Sequence, residues 1–319
     1  MKEISDWIGQ LFAQMFTSAS AEASEINTLF FQFLILAGVI VALVTGLVIF
    51  SIIRFRSSRR PDEPVQKEGS KNVEFIWTLV PLLILVVFFV ITVKGMKKIN
   101  QPYKNMKPDI IIIAHQWWWD MRYPEYNIIT ANELNIPVGK KLLMQIESAD
   151  VIHSWWVQYL GRKIDAIPGH LNYSWIEADR PGKYHGQCSE YCGVEHAWMR
   201  ILVVADSTTA FEHWVQSQQQ VPPVPKESLA YQGYVYFQNK PCGSCHAIAD
   251  TAADAHMAPD LTHVASRETL LSGMVQNNSE NLTRWLKDPQ QVKKGANMPN
   301  FMLSKHEIQA LVTYLEGLK

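Results

Sequence analysis

Excess charge is the first thing this chain lacks. The formal net charge is −1 at pH 7 over 319 residues, so no basic excess favours nucleic acid or another polyanion as a partner. Cysteine is also scarce, with four residues that fall in two pairs. No constellation of general acid, base and nucleophile is present, so we expect no catalytic residues in this chain.

Two long stretches carry no charge at all. Residues 28–53 and 75–93 are almost wholly apolar, and a membrane-spanning helix needs about 20 such residues. Pro81 lies near the start of the second stretch, where a missing amide donor is tolerated best. We therefore predict transmembrane helices over 27–53 and 75–97, rather than a pair of buried core helices.

The charges that flank these stretches predict their orientation. The loop 54–74 is rich in basic residues, whereas the flank before the first stretch holds only Lys2. Basic loops stay on the cytoplasmic side, so both termini should lie on the periplasmic or extracellular side of a bacterial inner membrane. The basic residues of the loop are Arg54, Arg56, Arg59, Arg60, Lys67 and Lys71.

The N-terminal segment 1–26 allows two interpretations. Apolar residues recur there at helical spacing, which favours an amphipathic helix that lies in the membrane interface. Ala19-Ser20-Ala21 resembles a cleavage site, so a cleaved signal peptide is the alternative. The apolar residues are Ile4, Trp7, Ile8, Leu11, Phe12, Met15 and Phe16.

Beyond the membrane segments the pattern changes from strands to helices. Residues 107–205 contain short apolar strands separated by turn residues, which is typical of a β-sandwich or barrel. Glutamines and then prolines fill 206–226, which predicts a semi-rigid linker. Residues 227–319 show helical patterns only, so we expect an all-α domain with a capping box at Ser304 and Glu307.

This last domain carries a haem attachment motif. Cys242-Gly-Ser-Cys245-His246 is a Cys-x-x-Cys-His run, in which both thiols bind a c-type haem covalently and the histidine is an axial iron ligand. Such haem is attached outside the cytoplasm, in agreement with the orientation above. A disulfide beside a chance histidine is the alternative, and the specificity of the motif argues against it.

The sixth iron ligand has to come from the sequence that follows the motif. Met298 is the best candidate, because its spacing and the next proline resemble the axial-methionine loop of small cytochromes c. Histidine and methionine ligands together raise the haem potential. The competing methionines are Met257, Met274 and Met302.

The other cysteine pair belongs to a second metal-binding pattern. Its potential ligands are Cys188, Cys192, His196 and Met199. Thiolate, imidazole and thioether form a soft set that selects copper, and two cysteines on one loop allow a second copper to share both thiolates. A disulfide between the cysteines would give the histidine and the methionine no role. Zinc would bind the cysteines and the histidine, but it does not take a thioether ligand.

A dinuclear copper site needs a second histidine from elsewhere in the chain. His153, on a predicted strand, is the natural donor, whereas His185 lies closer to Cys188 in sequence. The residues taken alone leave the choice between these two histidines open.

The copper loop also carries the most specific resemblance in the chain. Cys188-Ser-Glu-Tyr-Cys192-Gly-x-x-His196-x-x-Met199 resembles the dinuclear copper (CuA) loop of subunit II of haem-copper cytochrome c oxidases. The likeness covers residues 27 to about 205, and the fused cytochrome makes the chain resemble the caa-type oxidases. Three further stretches carry it: 73–81, 115–117 and 165–169.

The resemblance implies a role for each residue of the copper site. By this likeness His153 is the distant histidine ligand, and His196 completes the other copper. Cys188 and Cys192 bridge the two metals, and Met199 is a weak axial ligand.

Three more residues take expected roles from the same resemblance. Glu190 supplies a backbone carbonyl ligand, and its side chain binds a Mg2+ shared with subunit I. Trp117 matches the tryptophan that receives electrons, with plain aromatic core as the alternative. Glu74 matches a carboxylate near the mouth of a proton path in subunit I, or else it is a helix-start carboxylate favoured by the dipole.

The whole chain is therefore predicted to be a multidomain membrane protein: a two-helix transmembrane hairpin, a cupredoxin-like Greek-key β-barrel or sandwich, then an all-α cytochrome c domain. The resemblance implies electron transfer from haem c to CuA and on to haem a of subunit I, where oxygen is reduced and protons are pumped. Expected partners are subunits I and III, and a quinol–cytochrome c reductase or small cytochrome as donor. Two other functions stay open: the same position in a nitric oxide reductase, and a membrane-tethered redox-binding protein without an enzyme partner.

Overall fold

Two compact units make up the protein in this computed structural model. One comprises Ser24–Pro102, and the other comprises Met1–Ala23 with Tyr103–Lys319. The predicted interfacial helix falls largely outside the described residues, as does most of the loop between the two apolar stretches. The structure describes residues 16–56, 69–100, 103, 106–226 and 228–319.

The first unit is formed by two long helices, as the uncharged stretches predict. Helix α1 spans Ala21–Arg54 and helix α2 spans Lys71–Ile99. Both are long and apolar enough to cross a membrane, and most of their apolar side chains are exposed. The rings of Phe33 and Phe88 pack with centroids 4.4 Å apart. Both helices run past the predicted spans, because a helix can continue beyond the apolar core of a bilayer into polar flanks.

A short N-terminal segment belongs to the second unit. The buried Ala19 donates its N–H to the carbonyl of Tyr159 at 2.9 Å and accepts from the N–H of Asp179 at 2.8 Å. The Ser20 hydroxyl donates to the carbonyl of Leu160 at 2.8 Å. The stretch that resembles a cleavage site is therefore hydrogen-bonded into the fold that follows.

Short strands form the first part of the second unit, here called the β-domain (residues 106–218). They are β1 (Ile110–His115), β2 (Trp118–Tyr123), β3 (Ile128–Ala131), β4 (Glu133–Pro137), β5 (Leu142–Ser148), β6 (His153–Trp156), β7 (Ile164–Ala166), β8 (Asn172–Ile176), β9 (Gly182–Cys188) and β10 (Arg200–Asp206). Two five-stranded sheets result, with the orders β3-β2-β1-β5-β8 and β4-β10-β9-β6-β7. Their inward side chains form one buried core, so the domain is a cupredoxin-like sandwich, as predicted.

The predicted linker over 206–226 differs from the structure in its first half. Residues Thr208–Gln218 form helix α3, with Ser207 as its N-cap. Phe211 and Val215 lie one turn apart on this helix and are buried in the core of the β-domain. The surrounding glutamines and prolines masked this apolar pair, so composition alone indicated a linker.

The C-terminal part of the chain, here called the helical domain (residues 228–319), is largely helical, as predicted, and has one short further helix, α6 (Pro289–Val292). The other helices are α4 (Leu229–Asn239), α5 (Ser279–Lys287) and α7 (Lys305–Leu315). The capping box of Ser304 and Glu307 is present at the start of α7. Helices α4 and α7 cross closely at Gly233, where a Cβ atom would lie 2.0 Å from the carbonyl oxygen of Ala310.

One element of the helical domain was not predicted. A short hairpin pairs β11 (Thr269–Leu270) with β12 (Val275–Gln276). Its tip has three consecutive residues with positive φ, from Leu271 to Gly273. Strands of two residues are too short to show the alternation on which strand prediction depends, so the sequence pattern appeared purely helical.

Candidate metal centres

The residues of the predicted copper site converge at one end of the β-domain. Most come from the connection between β9 and β10, and one comes from the first position of β6. The cluster consists of His153, Cys188, Cys192, His196 and Met199.

The two cysteine sulfurs lie at the centre of this cluster. Their Sγ atoms are 3.8 Å apart and both thiols are free, so Cys188 and Cys192 form no disulfide. His153 Nδ1 lies 3.9 Å from Cys188 Sγ, and His196 Nδ1 lies 3.6 Å from Cys192 Sγ. Met199 Sδ is 3.9 Å from Cys192 Sγ. One imidazole beside each of two adjacent thiols is a donor set that fits two copper ions sharing both sulfurs.

Strand pairing brings His153, and not His185, to the cysteines. Along β9 the side chains alternate between the two faces of the sheet, so Cys188 is buried while His185 is exposed. Strand β6 pairs with β9, with Trp155 opposite Cys188. His153 lies on this neighbouring strand and is fully buried.

Asp150 orients the imidazole of His153. Its Oδ1 lies 2.8 Å from His153 Nε2, and its Oδ2 accepts from the backbone N–H of Gln116 at 2.6 Å. The Nδ1 atom is then the ring nitrogen that faces Cys188. A carboxylate behind a metal-binding histidine sets the tautomer and the orientation of the ring. No motif in the sequence indicated this role for Asp150.

Hydrogen bonds within the cluster shift the pKa values of its two thiols in opposite directions. The hydrogen bond with Cys192, together with one to His153, lowers the pKa of the Cys188 thiol well below its ordinary value. The neighbouring Cys188 and burial raise the pKa of the Cys192 thiol. The first proton therefore leaves readily, and binding of a metal ion would displace the second, because thiolates are the ligands.

The loop between the cysteines presents different groups on its two sides. The carbonyl oxygen of Glu190 lies 3.2 Å from Cys188 Sγ, whereas the Glu190 residue itself is exposed. Gly193 has φ +120°, and a Cβ atom there would lie 2.9 Å from Cζ2 of Trp117. Glycine is thus required where the loop passes this tryptophan.

The Cys-x-x-Cys-His motif directly follows α4. Cys242 lies in a 3-10 turn, Cys245 follows that turn, and both free thiols are half-buried. Nδ1 of His246 lies 2.8 Å from the carbonyl oxygen of Pro259, so Nδ1 carries the proton and donates it. Nε2 is then the nitrogen that can bind iron. Two thiols and an oriented imidazole on one turn fit a covalently attached haem.

The candidate methionines differ in exposure. Met298 is partly buried and packs against the core of the helical domain, as does Cys242. Met302 is 89% exposed and Met257 is 75% exposed. Met274 lies in the connection between β11 and β12. The partial burial of Met298 beside the domain core supports Met298 as the sixth iron ligand.

Two segments of the helical domain contact the β-domain, and sequence analysis missed both. From the hairpin, the Ser272 hydroxyl donates to the backbone carbonyl of Trp117 at 2.8 Å. From the loop before Met298, the Asn297 side-chain N–H donates to the carbonyl of Gln116 at 2.9 Å. Lys293 Nζ lies 3.4 Å from the Trp117 carbonyl. Contacts between domains leave no periodic pattern in a sequence, so no pattern could have indicated them.

The same two β-domain residues also contact the copper loop. The side-chain N–H of Gln116 donates to the carbonyl of Cys192 at 2.7 Å, and the indole N–H of Trp117 donates to the same carbonyl at 3.0 Å. Trp117 is half-buried and packs on the edge of the core. Gln116 and Trp117 thus lie between the helical domain and a cysteine of the copper cluster.

The resemblance also singled out two exposed carboxylates. Glu74 lies in the first turn of α2, and Asp165 lies on β7. Both side chains are exposed. Asp165 also accepts at its carbonyl from the side chain of Asn172 at 2.7 Å.

The fold and both clusters define a membrane-anchored electron-transfer protein with a cupredoxin-like copper domain and a c-type cytochrome domain. Three family descriptions match in chain order. The chain belongs to the cytochrome c oxidase subunit II family, in the caa-type form with a fused cytochrome c domain. The matches are the transmembrane domain of cytochrome c oxidase subunit II over 6–94, its periplasmic domain over 128–206, and cytochrome c over 230–319.

Two cytochrome c oxidase subunit 2 proteins support this assignment over most of the chain. Cytochrome c oxidase subunit 2 of Alkalihalophilus pseudofirmus is 36% identical over 301 residues, which are 90% of this chain and 86% of that protein. Its counterpart in Bacillus sp. strain PS3 is 33% identical over 285 residues, covering 83% and 80%. A crystal structure of the periplasmic domain of subunit II from Bradyrhizobium japonicum is 35% identical, with a TM-score of 0.34, and covers 35% of this chain and 95% of that domain.

Family membership confirms the predicted topology and the electron-transfer role. The chain is an oxidase subunit with two membrane spans, and its C-terminal domains lie outside the cytoplasm. Haem c and CuA are the cofactors that its cytochrome c and periplasmic domains imply.

Proposed function

We propose that this subunit passes electrons from its helical domain to its β-domain and then to haem a of subunit I. The observation that carries the proposal is the contact between the domains, in which the side chain of Asn297 donates a hydrogen bond to the carbonyl of Gln116. The side chain of Gln116 donates in turn to the carbonyl of Cys192 in the copper cluster. Subunit I would reduce oxygen to water and pump protons. The names of the similar proteins support oxygen, rather than nitric oxide, as the final acceptor.

The β-domain holds its copper ligands in a preset arrangement. When bound, the copper pair and the haem iron each carry one electron at a time. Asp150 holds the ring of His153 in place, and the pairing of β9 with β6 and β10 holds the buried Cys188. A ligand set that cannot move keeps the cost of changing oxidation state low. The proposed ligands are His153, Cys188, Cys192, His196, Met199 and the carbonyl of Glu190.

The helical domain holds the haem in the same manner. Cys242 and Cys245 would attach it, and His246 would present Nε2 to the iron because its Nδ1 donates to Pro259. Met298 would be the second protein ligand of the iron. Methionine as the second axial ligand raises the potential, which suits a donor to copper.

Contacts with other subunits complete the proposal. The exposed carboxylate of Glu190 would bind a Mg2+ shared with subunit I, and Asp165 would contact the same subunit. Glu74 would lie near a proton path there. Subunit III, and a quinol–cytochrome c reductase or a small cytochrome as donor, are the further proposed partners.

Flash photolysis of the purified intact oxidase tests this order of electron flow. A photoexcited reductant delivers one electron, and absorbance is followed at the bands of haem c, CuA and haem a. We expect haem c to be reduced first, then CuA, then haem a. If haem a is reduced while CuA stays oxidised throughout, the proposed route is wrong. A Cys188→Ser variant, which lacks the copper pair, should stop the electron at haem c.

A further inference from the structure

A continuous set of bonds joins the methionine loop to the copper loop. Asn297 is covalently linked to Met298, and its side-chain N–H donates to the carbonyl of Gln116 at 2.9 Å. The side chain of Gln116 donates in turn to the carbonyl of Cys192 at 2.7 Å. Two hydrogen bonds are therefore the only non-covalent steps on this route between the proposed iron ligand and a copper-site cysteine.

Electrons tunnel more readily along covalent and hydrogen bonds than across gaps between atoms. The Trp117 indole also reaches the Cys192 carbonyl, at 3.0 Å. The hydrogen bonds that Trp117 accepts from the helical domain, at its backbone carbonyl, come from Ser272 and Lys293. Neither of these residues adjoins the proposed iron ligand, so the route through Gln116 is the more direct one.

The loop before Met298 also approaches the copper loop directly. Gly295 has φ +96°, and a Cβ atom there would lie 2.7 Å from Cγ2 of Val194. Val194 lies between the copper-site residues Cys192 and His196 in sequence. Gly295 therefore contacts the copper loop itself, in addition to the hydrogen bond between Asn297 and Gln116.

Glu133 of the β-domain holds the hairpin of the helical domain. One carboxylate oxygen accepts from the Thr269 N–H at 2.7 Å and from its hydroxyl at 2.6 Å, and the other accepts from the Glu268 N–H at 2.9 Å. Glu133 is only 7% exposed, and charge-assisted hydrogen bonds of this kind are the strong ones. The partly buried Arg267 guanidinium adds favourable charge interactions with Asp260, Glu133 and Asp120.

We propose that Asn297 and Gln116 carry the electron path from the helical domain to the copper loop, and that Glu133 is the positioning residue that holds the two domains in register for it. The inference rests on the proposed direction of electron flow. One electron leaves the helical domain, which is oxidised, and reduces the β-domain. No bond forms or breaks, and no proton is transferred.

Flash-induced kinetics of the intact oxidase test the path. In Asn297→Leu and Gln116→Leu we expect the rate from haem c to CuA to fall severalfold, with both reduction potentials and the copper spin-resonance spectrum unchanged. Asn300→Leu is the matched control. It lies two residues beyond Met298 and accepts from the Met302 N–H within its own loop, so its rate should stay at the wild-type value.

Carbodiimide cross-linking tests the positioning role without reference to activity. Lys183 of the β-domain and Glu268 of the helical domain form an exposed ion pair, which the reagent joins by an amide bond when the domains are docked. Glu133→Gln should weaken docking by roughly tenfold, about 1.4 kcal/mol, and so slow both cross-linking and electron transfer. Glu125→Gln, an exposed carboxylate on the same domain, should change neither.

Each remaining outcome decides one part of the proposal. Wild-type rates in both leucine variants, with CuA still reduced after haem c, would overturn the path and leave the proposed function intact. An equal slowing in Asn300→Leu would also overturn it, because the cause would then be distortion of the loop. Unchanged cross-linking in Glu133→Gln would remove the positioning role. Absence of transfer from haem c to CuA in the wild type would instead contradict the proposed function.

Discussion

Nε2 of His153 lies 2.8 Å from a carboxylate oxygen of Asp150. The histidine side chain is fully buried, whereas the aspartate is partly exposed. Because Nε2 is engaged, Nδ1 is the ring nitrogen left for a metal ion, and it faces Cys188. One partly exposed carboxylate thus leaves Nδ1 as the nitrogen with which the buried His153 would bind copper.

Removal of that carboxylate should weaken copper binding. We expect Asp150→Ala to lower copper affinity by about 10- to 100-fold, the usual cost of losing such a partner. Asp150→Asn should lose less, because its amide oxygen can still accept from the ring. Titration against a competing chelator measures the effect. Glu125→Ala, on the same domain, is the control, and an equal loss in that variant would contradict a specific role for Asp150.

We expect the number of bound copper ions to depend on both cysteines. We expect the wild type to show one unpaired electron shared over two copper nuclei in electron spin resonance. Cys192→Ser should lose this shared-valence spectrum, because one bridging thiolate is gone. Met199→Leu should keep it and mainly shift the potential, since an axial ligand tunes the site. A fully loaded wild type with a single-copper spectrum would contradict the dinuclear site.

Most ligands of the copper and haem sites could be predicted from the sequence, but one copper ligand could not be chosen from the residues alone. The Cys-x-x-Cys-His motif and the CuA loop hold most of their ligands within a few residues, so local sequence is sufficient to recognise them. The choice between His153 and His185 was open from the residues alone, because it depends on the pairing of β6 with β9. Pairing between distant strands is a tertiary property that no local pattern records.

The same distinction applies to the rest of the fold. The two membrane helices follow from long apolar runs, and the capping box at Ser304 follows from four residues in a row. Helix α3 was missed because its apolar side is narrow and polar residues surround it. The contact of Asn297 with Gln116 joins residues 181 positions apart, and neither residue type carries a signature for such a contact.

The sixth haem ligand can be tested by spectroscopy. Met298→Ala should abolish the far-red charge-transfer band between methionine sulfur and ferric iron. Met298→His should keep the covalent haem but lower its potential, because a thioether favours reduced iron relative to a second imidazole. Survival of the band in Met298→Ala would transfer the role to another methionine, with Met302→Ala as the matched variant on the same loop.

The haem should be the point at which physiological electrons arrive. We expect Cys245→Ala to stop transfer from the native donor, while an artificial reductant of CuA still supports oxygen uptake. Transfer from haem c to CuA should depend little on ionic strength, because part-buried hydrogen bonds of Glu133 and Ser272 join the domains and the exposed Lys183–Glu268 ion pair adds little. Flash kinetics across a salt series measure this, and steep slowing with salt would contradict it.

Acid should loosen the start of α7. Hydrogen bonds from Lys240 and from Ser304 lower the pKa of Glu307 from 4.5 to about 2. Because the folded-state pKa is depressed, the stabilisation is present above pH 4.5 and is lost as the pH falls towards 2. Hydrogen exchange of the first amides of α7 should therefore speed up in that interval. Glu307→Gln should remove this pH dependence, whereas Glu280→Gln should leave it in place.

Helix α3 has a consequence for the economy of the respiratory chain. Because it packs on the β-domain, only residues 219–228 remain as a tether, with an extended reach of at most roughly 35 Å. Such a short tether gives an effective concentration on the millimolar scale, which a diffusible cytochrome would have to exceed to compete. Each β-domain, the electron acceptor, is therefore synthesised together with its own donor, the helical domain. Their ratio is fixed at one to one by translation of one gene, and does not depend on the cellular supply of soluble cytochrome.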